Sequence, residues 1–168
     1  MRPKADKPPL ALEGMSTIVR NFPAVEARSL DGKRLMLPSE LEGERNLLAV
    51  AFRRNHQGDV DSWAEDFAAA ERNHIGVRGY EIPVISRRWS PARGFIDGGM
   101  AAAIRDPEVL ARTLTVYGDV SRVSDSLGLP DRSQIAVVLC DRDGVVKWLR
   151  RGRRTPAAAA ELEEALAS

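Results

Sequence analysis

The sequence predicts an α/β domain with a mixed central sheet and helices on both faces, opened by an N-terminal hairpin and carrying an inserted helical segment. Three observations support that class. Asn46-Leu47-Leu48-Ala49-Val50-Ala51-Phe52 is a nearly unbroken apolar run, the pattern of a parallel strand buried on both faces. A polar loop, Arg53-Arg54-Asn55-His56-Gln57-Gly58, follows it and leads into helical spacing from Asp59, which makes a βα unit. Farther along, Asp141-Arg142-Asp143-Gly144 separates two β-rich stretches and reads as a hairpin turn.

Taken in order, residues 1–20 hold three prolines and scattered charge and are expected to form a loose arm ahead of a single domain over 21–168. Val25 to Leu30 and Arg34 to Leu37 flank Asp31-Gly32 as two short strands. Ser39 to Gly43 is a turn before the apolar strand. From Asp59 to Asn73, apolar residues recur at Val60, Trp63, Ala64, Phe67, Ala68 and Ala70, close to helical spacing, with Asp59 as the expected N-cap. Tyr80 to Ile85 reads as a second strand, with Pro83 at an edge, a bulge or a strand end. Phe95 to Ile104 and Pro107 to Leu110 are helical pieces, Thr113 to Tyr117 a β-branched strand, and Ser121 to Leu127 a short helix closed by Gly128. Ile135 to Cys140 and Val145 to Leu149 form the last hairpin. Thr155-Pro156 then supplies a cap and a first-turn proline for a terminal helix through Leu166.

Lys and Arg number 25 against 24 Asp and Glu, a net charge of +1 over 168 residues. Nothing global calls for nucleic acid or an anionic membrane. No apolar stretch is long enough for a signal peptide or a membrane span, so membrane insertion is not expected and a cytoplasmic location is. The lone Cys140 excludes an internal disulfide and suits a reducing compartment. No nucleophile elbow, catalytic triad or glycine-rich phosphate loop occurs, and hydrolase and nucleotide-binding readings have no support.

This order of elements is that of a thioredoxin-like fold. Asp59-Val60-Asp61-Ser62-Trp63, Tyr80-Glu81-Ile82-Pro83, Phe95-Ile96-Asp97-Gly98-Gly99-Met100, Ile104-Arg105-Asp106, Arg112 to Tyr117, Trp148 and Gly152 narrow it further. Through them the chain resembles the cysteine-less thioredoxin-like proteins related to the mitochondrial ATP synthase membrane-sector assembly factor and its bacterial relatives, over about residues 27–166. The resemblance implies a non-catalytic assembly or chaperone-like role with a protein partner. In redox members of the superfamily the loop after the first βα strand carries Cys-x-x-Cys, where a helix N-terminus lowers the thiol pKa. Here residues 53–58 contain no cysteine. Where redox members carry a cis-proline this chain has Gln134-Ile135, and a cis bond without proline costs about 2.5–4 kcal/mol, so that kink is expected to be lost.

No catalytic, cofactor-binding or metal-binding residue is assigned. Cys140 shares a strand face with Ala136 and Val138 and is expected to pack as a small core residue; the rival is a single-cysteine peroxidase or reductase that uses it. His56, Asp59 and Asp61 offer one nitrogen and two carboxylates, but their spacing matches no metal signature, and His56 is expected to be a solvated loop side chain. Arg53, Arg54, His56, Gln57, Asp59, Trp63, Arg88 and Trp89 form the expected partner-binding face, at the C-terminal ends of parallel strands where such sheets bind ligands. Arg87 and Arg93 fall in segments brought toward it; the alternatives are an ordinary core residue for Trp63 and an ordinary solvated surface for the arginines. Arg150-Arg151-Gly152-Arg153-Arg154 is the densest charge run; without an aromatic ladder it reads as a solvated turn rather than a nucleic-acid site. The chain is expected to be a monomer or a weak homodimer.

Overall fold

The structure, a computed structural model, describes residues 19–86 and 106–168. Seven strands form one sheet: β1 Val25–Ser29, β2 Arg34–Leu37, β3 Arg45–Ala51, β4 Val77–Ile85, β5 Leu114–Tyr117, β6 Ala136–Asp141 and β7 Val146–Arg151. Their order is β2-β1-β5-β4-β3-β6-β7. β3, β4 and β5 run parallel, and the two outer hairpins pair with them antiparallel through β1 and β6. The helices are α1 Gln57–Asp61, α2 Ala64–Asn73, α3 Pro107–Arg112, α4 Val120–Ser126 and α5 Pro156–Ala167. The Phe95 to Ile104 helical piece lies outside the described residues, as does the arm apart from Val19 and Arg20.

β3 shows why an apolar run can be continuous. Leu48 and Val50 enter one core with Ile82, Val84, Val116, Val123, Val138 and Cys140. Leu47 and Ala49 point the other way, into a core with Val60, Trp63, Val137, Leu139, Leu162 and Leu166. Side chains alternate across a strand, and here both faces are covered, one by α4 and the other by α1, α2 and α5. Pro83 lies inside the sheet, not at its edge. It sits where the β3 ladder ends at Ala51 and the β5 ladder takes over at Val84, so its missing N–H falls at a changeover.

The terminal helix starts as its sequence dictates, with Thr155 Oγ1 accepting the Ala158 N–H at 3.1 Å and Pro156 in the first turn. The β6–β7 turn requires its glycine: Gly144 has φ +88°, and a Cβ there would come 2.6 Å from Pro38 Cγ. One helix departs from expectation. The pattern over 59–73 is two helices broken at Ser62 and Trp63, and Asp59 lies in the first turn of α1 instead of capping it. The Trp63 ring at this break is fully buried. Among the described residues, no helix is long and apolar enough to cross a membrane.

Leu139 on β6 is fully buried in the core between the sheet and α5. Leu139→Ala is expected to lower stability by about 2–5 kcal/mol, read as a fall in the urea midpoint with an unchanged denaturant slope.

Candidate functional site: the loop face after β3

β3 and β4 end on the same side of the sheet, at Ala51 and Ile85, and β6 begins there because Ala136 pairs with Val50. After β3 the chain passes through an extended Arg53 and a short 3-10 turn, Arg54–His56, into α1. Arg53, Arg54, Asn55, Gln57 and Gly58 are exposed. His56 is not: it is 4% exposed, a correction to the solvated side chain expected from its polar neighbours. Its Nδ1 accepts the Phe52 N–H at 3.1 Å, so the other ring nitrogen carries the proton and faces the Ser133 carbonyl at 3.3 Å. The imidazole thus joins the loop after β3 to the loop before β6.

Trp63 takes the core reading and leaves the expected face. It is 0% exposed and cannot touch a partner. Its Nε1–H donates to the Gly152 carbonyl at 3.1 Å, and its ring meets Trp148 edge-on with centroids 6.1 Å apart. Gly152 adopts φ +93° and its absent Cβ would stand 3.0 Å from Gln134 Nε2, so a side chain there would be strained. Of the expected face, Arg53, Arg54, Gln57 and Asp59 remain at the surface or half-buried. Arg88 and Trp89, with Arg87 and Arg93, lie outside the described residues.

The basic run is an internal clasp. Arg150 pairs with Glu161 at 2.6 Å, Arg151 with Asp131 at 2.6 Å, Arg153 with Asp59 at 3.3 Å and Arg154 with Asp66 at 2.6 Å. The Arg154 backbone N–H also donates to Ser62 Oγ at 3.0 Å. Asp131 is further held by the Ser133 hydroxyl and N–H, which with Arg151 bring its carboxyl down to about 2. Acids scattered over the chain, from Asp59 to Glu161, therefore absorb the run that looked free. Arg132 and Ser133 are the part of this face that the sequence reading missed; the antiparallel placement of β6 against β3 is the signal that leads to them.

Beside the face, α1, α2, α3 and β4 line a cleft of about 230 Å³ with Val60, Phe67 and Val109 among its walls. At its rim Glu71 binds Arg112 and accepts the Gly79 N–H at 2.6 Å. Burial works against the Glu71 carboxylate, but Arg112 and Gly79 outweigh it and leave its pKa below the ordinary value. Glu81 is the opposite case: burial, reinforced by Asp61 and partly offset by Gln57, raises its pKa. Among the described residues, no group of three or more His, Cys, Asp or Glu side chains is placed to hold a metal ion.

Cys140 is 0% exposed. Burial, with a smaller contribution from Asp141, pushes its thiol up to about 12. It pairs with Asn46 at the far end of β3. The five residue-to-residue steps from Asn46 to Ala51, at about 3.3 Å each, put it roughly 17 Å from the loop face.

No family model matches the chain, and no curated protein does. Solved structures do. Yeast Sco1 with copper bound is 14% identical, with 89% of this chain and 94% of that one covered and a TM-score of 0.60. BsSco, a member of the Sco family of cytochrome c oxidase assembly proteins, is 15% identical, with 89% and 95% covered and a TM-score of 0.59. The thioredoxin domain of a thiol-disulfide oxidoreductase from Bacteroides vulgatus is 17% identical, with 86% and 94% covered and a TM-score of 0.53. The chain has a thioredoxin-like fold, in which the loop after β3 lacks cysteine and the only thiol is buried elsewhere.

Two substitutions test the electrostatics of the cleft. Glu81→Gln is expected to raise the thermal midpoint at neutral pH, because the folded state penalises the charged form. That gain disappears as pH falls below the ordinary glutamate range, where the unfolded carboxyl is also protonated. Glu71→Gln is expected to lower the midpoint at neutral pH, and the loss fades as pH falls through the depressed folded pKa of Glu71. Separately, Trp63→Phe is expected to cost about 1–3 kcal/mol by orphaning the buried Gly152 carbonyl, measured by urea unfolding.

Proposed function

We propose that the chain is a non-catalytic thioredoxin-fold module that binds a protein partner at the loop face after β3. The role is assembly or chaperone-like, as the resemblance to the cysteine-less ATP synthase membrane-sector assembly factor group implies. The observation that carries this reading is the separation of thiol from site. The face at the ends of the parallel strands holds arginines and amides but no cysteine. The one thiol sits in the core at the other end of β3, with a pKa that leaves almost no thiolate near neutral pH. Thiol–disulfide exchange needs an accessible thiolate and a second sulfur to resolve the mixed disulfide, and the chain supplies neither there. Arg88 and Trp89, which follow β4 in sequence, belong to the proposed surface. A cytoplasmic location is part of the reading, supported by the single cysteine.

The protein is expected to give no insulin reduction and no peroxide consumption above a Cys140→Ser control. Native Cys140 should react with iodoacetamide more than about a hundredfold slower than the unfolded chain, as its thiolate fraction requires. Turnover abolished by Cys140→Ser would replace this reading with the single-cysteine enzyme.

A further inference from the structure

We propose that the partner presents an acidic peptide segment to this face, taken up by Arg53, Arg54 and Arg132; the inference rests on the protein-binding reading above. The His56 ring bonds to Phe52 on one side and to Ser133 on the other. Arg53 and Arg54 follow Phe52, and Arg132 precedes Ser133, so the three arginines flank one junction. All three are exposed, and none of their guanidinium groups has a carboxylate partner among the described residues.

What sets them apart is the fate of the acids around them. Asp59 is taken by Arg153, Asp66 by Arg154 and Asp131 by Arg151 and Ser133. Asp61 accepts the Gln57 side-chain amide at 2.8 Å. The clasp therefore neutralises the basic run while leaving the rim above the His56 junction cationic. Buried His56 and the bonded Ser133 anchor the backbone on both sides, which lowers the ordering cost of binding. Guanidinium forks match carboxylates in pairs.

Nucleic acid is the less favoured occupant. Binding of single strands relies on a series of aromatic platforms for successive bases; among the described residues Trp63 is fully buried, and Trp89, the one tryptophan counted in the proposed surface, would make no such series. The net charge of +1 provides no wider field to track a phosphate backbone.

The test is fluorescence anisotropy with a labelled deca-glutamate peptide at low salt, using the full chain. Wild type is expected to bind and to weaken steeply as salt rises. Arg53→Ala/Arg54→Ala/Arg132→Ala should bind at least about tenfold more weakly, the combined effect of three exposed charge pairs. Lys33→Ala/Arg122→Ala/Arg142→Ala removes three exposed cations from other parts of the surface and should stay within about twofold of wild type. Circular dichroism and thermal midpoints confirm that both variants fold. Equal loss in the two triple variants would reduce the effect to bulk charge and overturn the proposal, and so would stronger, rim-dependent binding of oligouridylate than of the peptide. If Cys140-dependent turnover appears while the rim still binds the peptide, the protein-binding reading fails and the rim survives; the reverse pair of results removes the rim alone.

Discussion

Trp63 donates its indole N–H to the Gly152 carbonyl, and the Gly152 N–H donates in turn to the Ile135 carbonyl. This relay ties the α1–α2 break, the end of β7 and the approach to β6 into one unit, and the loop face is built on it. An aromatic side chain of this size removes a large apolar area from water, and its single polar atom is satisfied in the act. Gly152 makes the arrangement possible because its positive φ turns the carbonyl toward the indole without a Cβ striking Gln134. His56 does the corresponding work on the other side. The two side chains that most suggest a functional site in the sequence are thus its internal supports, and they hold in place the arginines that do reach solvent.

Charge in this part of the molecule is organised by proximity between distant parts of the chain. An isolated exposed ion pair contributes little, but here four fall within five residues, beside a backbone bond to Ser62. They fasten the turn before α5 to the helices after the loop, using Asp59 and Asp66 from one side and Asp131 and Glu161 from the other. The same pairing leaves the densest basic run in the chain less available to a ligand than its composition suggests. Cations that have been matched internally offer less to a ligand than Arg53, Arg54 and Arg132, which have no ion pair among the described residues.

The chemistry of the fold has been separated from its thiol. Thiolate reactivity requires an electropositive and accessible setting, which the start of α1 beside Arg53 and Arg54 would offer a cysteine. Cys140 instead packs among Val and Ala side chains on β6, where burial stabilises the neutral form. The loop face itself exposes arginines and amides and holds no cysteine. The likeness to Sco and thiol-disulfide oxidoreductase structures extends to the fold.

Strand periodicity, the Asp-Gly and Asp-x-x-Gly turns and the Thr-Pro helix start are local signals, and each produced its element within a few residues. The inward placement of Cys140 was legible for the same reason, since alternation along β6 puts it on the face of Ala136 and Val138. The sites of error were of another kind. The helix break at Trp63, the burial of His56 and the neutralisation of residues 150–154 depend on partners dozens of residues away, and no local pattern encodes them. The sequence by itself determined the fold class and the loss of the redox cysteines, because those follow from periodicity and residue type. Only the tertiary structure decided which polar residues of the loop face bond inward and which stay exposed to solvent, because that depends on where hydrogen bonds and charges find one another once β6 is laid against β3.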